Sequence, residues 1–202
     1  MFFCRKGDGE VKKYEKKVDR VRKIAYNRIM ERRTDKKRAV LTILRCLAVV
    51  VCLSYVAWIF SNSLKTATVS SEQSGAVTDG VVQVFKWLAP NSFWANASEE
   101  ELELLHAHVR EGAHFLEFAL LGVLCSCVFF AFQGKGVQAV FPFLGGLSVG
   151  VIDEILQLFS AGRAFEWTDI FIDFSGVLFG GAVAFFVAIA VQAYVRKRSV
   201  KV

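Results

Sequence analysis

The sequence holds few of the residues that build small secreted domains or mark familiar hydrolases. Its five cysteines avoid the long polar segment from Ser61 to Gly112: Cys4 lies in the basic N-terminal tail, Cys46 and Cys52 in the first apolar run, Cys125 and Cys127 in the second. This excludes a disulfide framework there. The Cys125 and Cys127 spacing is neither a zinc nor a redox motif, so the cysteines read as small apolar space-fillers. There is no H-E-x-x-H and no S-x-x-K, the local signatures of zinc proteases and of one class of serine enzymes. Internal repeats, low-complexity tracts and a second globular domain are lacking as well.

Positive charge is scarce in one particular place. Between Ser61 and Gly112 there are only Lys65, Lys86 and Arg110 against seven acids, whereas 15 of the 25 Lys and Arg residues precede Ala39. What the chain has in abundance is apolar sequence, 54% hydrophobic residues with 19 Phe in 202 positions. That content is blocked into Ala39–Phe60, Ala113–Phe132, Val137–Phe159 and Trp167–Val195. Each block has about 20 or more residues, enough at about 1.5 Å per residue to cross a hydrocarbon core of roughly 30 Å. The expectation is an all-α bundle of four transmembrane helices, organised as a basic segment 1–38, a membrane domain 39–195 and a basic tail 196–202. The first block is too long and too far from the N-terminus for a signal peptide, and no small-residue cleavage site follows it. Its one charge, Arg45, can snorkel to the interface.

Orientation follows the basic residues. The N-terminal segment, the Gln133–Gly136 connection with Lys135, and the C-terminal Arg196, Lys197, Arg198 and Lys201 all fall on one side of a four-span chain, which puts both termini in the cytoplasm. The net charge of +6 then belongs to inner flanks facing anionic lipid headgroups rather than to a nucleic-acid site. Val11, Tyr14, Val18, Val21, Ala25 and Ile29 recur at spacings of three and four, the pattern of a helix lying on the cytoplasmic surface. In the outer loop, Val77, Val81, Val84, Phe85 and Leu88 predict an amphipathic helix over Ser74–Leu88 that Pro90 and Asn91 end. Ser98 and Glu101 form a capping-box pattern for a helix running into the second span.

Given that topology, ionisable residues gather at one depth. His114 and Glu117 open the second span, Asp153, Glu154 and Gln157 close the third, Asp169 and Asp173 open the fourth, and Arg163 lies in the short outer connection. All sit within roughly 10 Å of the outer interface at the helical rise. Burying charge in lipid costs about 2.5–3.5 kcal/mol at the bilayer centre, so these groups are expected to face one another in an outward-opening polar cavity, with Arg110 at its edge. Gly146 with Gly150, and Gly176 with Gly180, are small-xxx-small pairs suited to close helix packing. Two roles stay open for the cluster. In an architectural one, Arg163 pairs with Asp153 or Asp169, and His114 bonds Glu117 or Gln157. In a functional one, the excess of acid is met by protonated carboxyls, by a bound cation or by water. No metal ligands are assigned and no cofactor is named; His106 and His108 read as solvated helix residues.

The pattern D-E-x-x-Q followed by R-x5-D-x3-D-x2-G-x3-G, from Asp153 to Gly180, resembles the VanZ-like family of bacterial membrane proteins. Arg110, His114, Phe115, Glu117 and Gly122 fall on a segment similar to that family's R-x3-H-F-x-E-Y-x2-L-G, and FSNSLKTATVSSEQSG is similar to its first outer connection. Phe118 departs from the family's frequent Tyr, and Asp173 stands where some members have Asn. The resemblance implies a multi-span protein of the bacterial cytoplasmic membrane whose namesake is associated with resistance to the glycopeptide teicoplanin. The expected function is binding of an amphiphile or cell-wall precursor, or modulation of envelope chemistry, with a homo-oligomer or another partner supplying what four spans lack. The alternatives are a metal- or acid/base-dependent intramembrane enzyme acting on a lipid-linked substrate, towards which the sequence leans less, and a purely structural membrane protein.

Overall fold

The computed structural model describes residues 7–132 and 136–199. Cys4, Lys135 and Lys201, and with Lys135 most of the expected inner hairpin, lie outside the described residues. So do the side chains of the expected surface-helix face from Val11 to Ile29. Two compact units are present, Met1–Cys46 and Leu47–Val202. All the described elements are helical: α1 Gly7–Ser63, α2 Ala67–Leu88, α3 Glu99–Ala131, α4 Phe141–Gln157 and α5 Trp167–Ser199. Among the described residues, three stretches are long and apolar enough to cross a membrane, Arg33–Ser63, Glu99–Ala131 and Trp167–Ser199.

Local sequence explains the boundaries. No Gly or Pro occurs between Glu10 and Ser63, so nothing punctuates α1, and one helical element covers both basic residues and the first apolar run. The amphipathic helix α2 begins seven residues before the expected Ser74, because Thr66 caps it by accepting from Val69 N–H; it ends at Leu88, before Pro90. Ser98 and Glu101 complete the capping box of α3 reciprocally, with Ser98 N–H donating to Glu101 Oε2 at 2.7 Å and Glu101 N–H to Ser98 Oγ at 3.4 Å. From there α3 runs uninterrupted to Ala131.

The third apolar run differs most from its expectation. Gly136–Val140 form a 3-10 segment, α4 starts at Phe141 with Pro142 in its first turn, and only 17 residues are helical. Proline fits that position because it lacks the N–H that a first turn cannot use anyway. After Gln157 the chain turns through Ser160, whose Oγ donates to Ser63 O at 2.9 Å, and through Gly162 at φ 79°. An α4 of that length spans about 25 Å.

Within the Leu47–Val202 unit, α3 and α5 form the most extensive helix pair. A Cβ on Gly176 would collide with Phe115 O, one on Gly180 with Ala119 O, and one on Gly122 with Val177 O. Backbone therefore meets backbone along this seam, the contact that small residues allow between membrane helices. Gly146 of α4 receives the Val177 side chain, at 2.5 Å from where its Cβ would be. Ile59, Phe118, Leu121 and Val177 form the buried apolar cluster in this unit, and Phe185 is stacked on Phe143, edge-on to Phe130 and tilted against Phe129.

Candidate functional site

The buried face of α4 reads Pro142, Gly146, Gly150, Asp153, Glu154 and Gln157, small residues first and polar ones in the last turn. That of α5 reads Asp169, Ile170, Asp173, Gly176, Val177, Gly180 and Gly181, polar at its start. Since α4 ends where α5 begins, the two polar segments come to the same end of the bundle. Gly150 lies 3.5 Å, from its would-be Cβ, from both Asp173 Cβ and Phe118 Cε1, so the glycine lets α5 bring Asp173 against α4. Asp153, Glu154 and Asp173 are exposed by only 1%, 0% and 1%.

At the centre, one ligand-capable atom from each of His114, Asp153 and Asp173 lies within 4.8 Å of the other two. His114 Nδ1 stands 3.6 Å from Asp173 Oδ1, beyond hydrogen-bonding distance. The Nδ1 atom and both Asp173 carboxylate oxygens are buried without a hydrogen-bond partner, as are Glu117 Oε1 and Glu154 Oε1. Asp153 is different. Ser63 Oγ donates to its Oδ1 and Gln157 Nε2 to its Oδ2 at 3.1 Å, so two neutral donors fix that carboxylate. Glu154 Oε2 accepts from Glu166 N–H at 3.0 Å and holds the loop before α5.

Arg110 pairs with Asp169 at 3.6 Å. The contacts between basic and acidic side chains at the site are thus Arg110–Asp169 and His114–Asp173, the second an ion pair only when the imidazole is protonated, in place of the expected Arg163 pairing with Asp153 or Asp169 and of His114 bonded to Glu117 or Gln157. Arg163 instead lines two adjoining cavities. One, of about 470 Å³, is walled by Ser70, Ser74, His106, Arg110, Gln157 and Glu166 among others. The other, of about 450 Å³, is walled by Asn62, Lys65, Arg110, His114, Glu117 and Asp153, with Val77, Val109 and Leu116 as an apolar side. Burial, and after it the nearby Arg110 guanidinium, draw the Arg163 pKa down from its ordinary value; a guanidinium so placed remains charged at neutral pH.

Several contributors were not legible as site residues. Ser63, Asn62 and Lys65 follow the first apolar run, and the signals for them were their position, level with the acids, and their place in FSNSLKTATVSSEQSG, the stretch similar to the family's first outer connection. His106, read as solvated, bonds Ser74 Oγ through Nε2 at 2.6 Å and ties α3 to α2; His108 is exposed, with Nδ1 2.7 Å from Leu104 O. Cys52 and Cys125 approach to 3.9 Å between their sulfurs, far from the acids, where a separate apolar cavity of about 490 Å³ lies beside them. Gly146–Gly150, G-L-S-V-G, carries the letters of a nucleophile elbow. Ser148, however, is an exposed mid-helix residue donating to Leu144 O at 2.8 Å, and the strand-to-helix turn such chemistry needs is not there.

The family model described as VanZ/LLP1 matches residues 47–189. The chain belongs to the VanZ/LLP1 family. The matched region contains all of the site residues named above and begins where the second compact unit does. No curated protein and no solved structure gives a significant match.

Proposed function

We propose that this VanZ/LLP1 protein binds the anionic headgroup of an amphiphile, such as a lipid-linked cell-wall precursor, entering from the outer leaflet of a bacterial cytoplasmic membrane. In this reading α4 is a short fourth span, both termini are cytoplasmic, and the polar ends of α3, α4 and α5 face outward. The observation that carries it is Arg163 on the shared wall of two cavities, with Arg110 beside it and an apolar side of Val77, Val109 and Leu116. Cations in the lining suit a phosphate or carboxylate, the apolar residues suit a chain, and each cavity falls in the range of about 300–1,000 Å³ usual for ligand sites. Through such binding the protein would modulate envelope chemistry and so sensitivity to envelope-targeting antibiotics, teicoplanin among them.

The test is native mass spectrometry of the full chain in detergent with a polyprenyl phosphate and with the uncharged polyprenol of equal length. The phosphate should be retained in preference to the alcohol, and Arg163→Ala should weaken it by about 1.5–3 kcal/mol, the value of a charge-assisted hydrogen bond. Equal retention of both lipids, or an unaffected Arg163→Ala variant, would remove this reading.

A further inference from the structure

We propose that His114, Asp153 and Asp173 bind one divalent first-row transition-metal ion. Each residue comes from a different helix, α3, α4 and α5, and their ligand atoms already lie within 4.8 Å of one another. Atoms held at about 2.1 Å by one tetrahedral ion stand about 3.4 Å apart, and His114 Nδ1 and Asp173 Oδ1 stand 3.6 Å apart. That separation is too long for a hydrogen bond and close to that of two ligands sharing an ion.

A second observation is independent of the clustering. Asp173 is 99% buried, yet neither of its oxygens has a hydrogen-bond partner, and His114 Nδ1 facing it has none either. Buried carboxylate oxygens left bare are costly, and a cation between these atoms satisfies all three at once. Asp153 is already oriented, by Ser63 and Gln157, in the manner of a ligand carboxylate held by its outer shell. Each donor occupies one lone pair and leaves another on the same oxygen. Two carboxylates match a charge of +2.

The donor set also selects the ion. An imidazole nitrogen with two carboxylates suits Zn²⁺ or Mn²⁺ and disfavours Mg²⁺ and Ca²⁺, which take oxygen ligands. Three protein ligands leave a position open, and His114 and Asp153 both line the cavity shared with Lys65 and Arg163, so that position faces an anion-accepting wall. The metal site stands apart from the amphiphile reading, because it is measured with the metal alone.

The experiment uses the full chain, tag removed, in detergent, stripped with a chelator and dialysed separately against Zn²⁺, Mn²⁺ and Mg²⁺. The wild type should keep about one equivalent of Zn²⁺ or Mn²⁺, with a raised unfolding temperature, and should not keep Mg²⁺. His114→Gln and Asp173→Asn should each weaken retention by about tenfold or more, while His108→Ala matches wild type. X-ray absorption of the Zn²⁺ form should show one imidazole among oxygen ligands. No retained metal in the wild type, an all-oxygen or multi-histidine shell, or wild-type affinity in folded His114→Gln and Asp173→Asn proteins would each overturn the proposal. The first two are read on the wild type, so poor folding of a variant does not protect it. Metal retained without polyprenyl phosphate binding would leave this site standing and remove only the earlier reading.

Discussion

Asp153 is held by neutral donors, Ser63 from the end of α1 and Gln157 one turn along α4, whereas Asp169 meets a cation, Arg110. Neutral donors orient a carboxylate without cancelling its charge, which leaves it available to a further partner. Ser63→Ala should destabilise chelator-treated protein by about 1–3 kcal/mol, the cost of a buried acceptor losing its donor, and Ser63→Thr should restore most of it. Chemical unfolding in detergent reads both. His114, Asp153 and Asp173 were legible because helical spacing put them at the same end of successive apolar runs. Gln157, one turn from Asp153, was legible in the same way. Ser63 was not, since nothing local distinguishes it from Ser61, and the choice of Arg110 over Arg163 for Asp169 depends on how far α3 and α5 are rotated about their axes, which no single-helix pattern encodes.

At the scale of elements, glycine position decides what a methyl group costs. Gly180→Ala would drive a Cβ into Ala119 O, a backbone atom that cannot rotate away, and should destabilise by about 1–3 kcal/mol. Gly145→Ala, with nothing within 4 Å of its Cβ, should stay within about 0.5 kcal/mol of wild type. Thermal unfolding of the two variants in one detergent tests the contrast. Breakers and caps made the C-terminal end of α2 and the start of α3 readable from Pro90, Ser98 and Glu101, whereas the Thr66 cap at the start of α2 was missed. The start of α4 was less so, since Val137–Val140 are as apolar as the helix that follows and only Pro142 marks the boundary.

At the scale of the molecule, polarity among the described residues of the Leu47–Val202 unit is arranged inside out. Asp153, Glu154, Gln157 and Asp173 are buried, while Phe171 and Phe186 are 70% and 72% exposed. In water this would reverse the usual pattern; with acyl chains as solvent, the polar groups turn to one another and the apolar ones outward. On the proposed orientation, in a variant freed of its native cysteines, Asn91→Cys should react with a membrane-impermeant maleimide in intact cells. Lys197→Cys should react only after permeabilisation, and the opposite labelling would invert the topology. The α3–α5 seam bears on how such a molecule behaves in a fluctuating bilayer. Where main chain rests directly on main chain, there is no side-chain slack for one rod to creep along the other. Gly176 and Gly180 therefore act as detents, and undulations that shear neighbouring lipids leave His114 and Asp173 in registration.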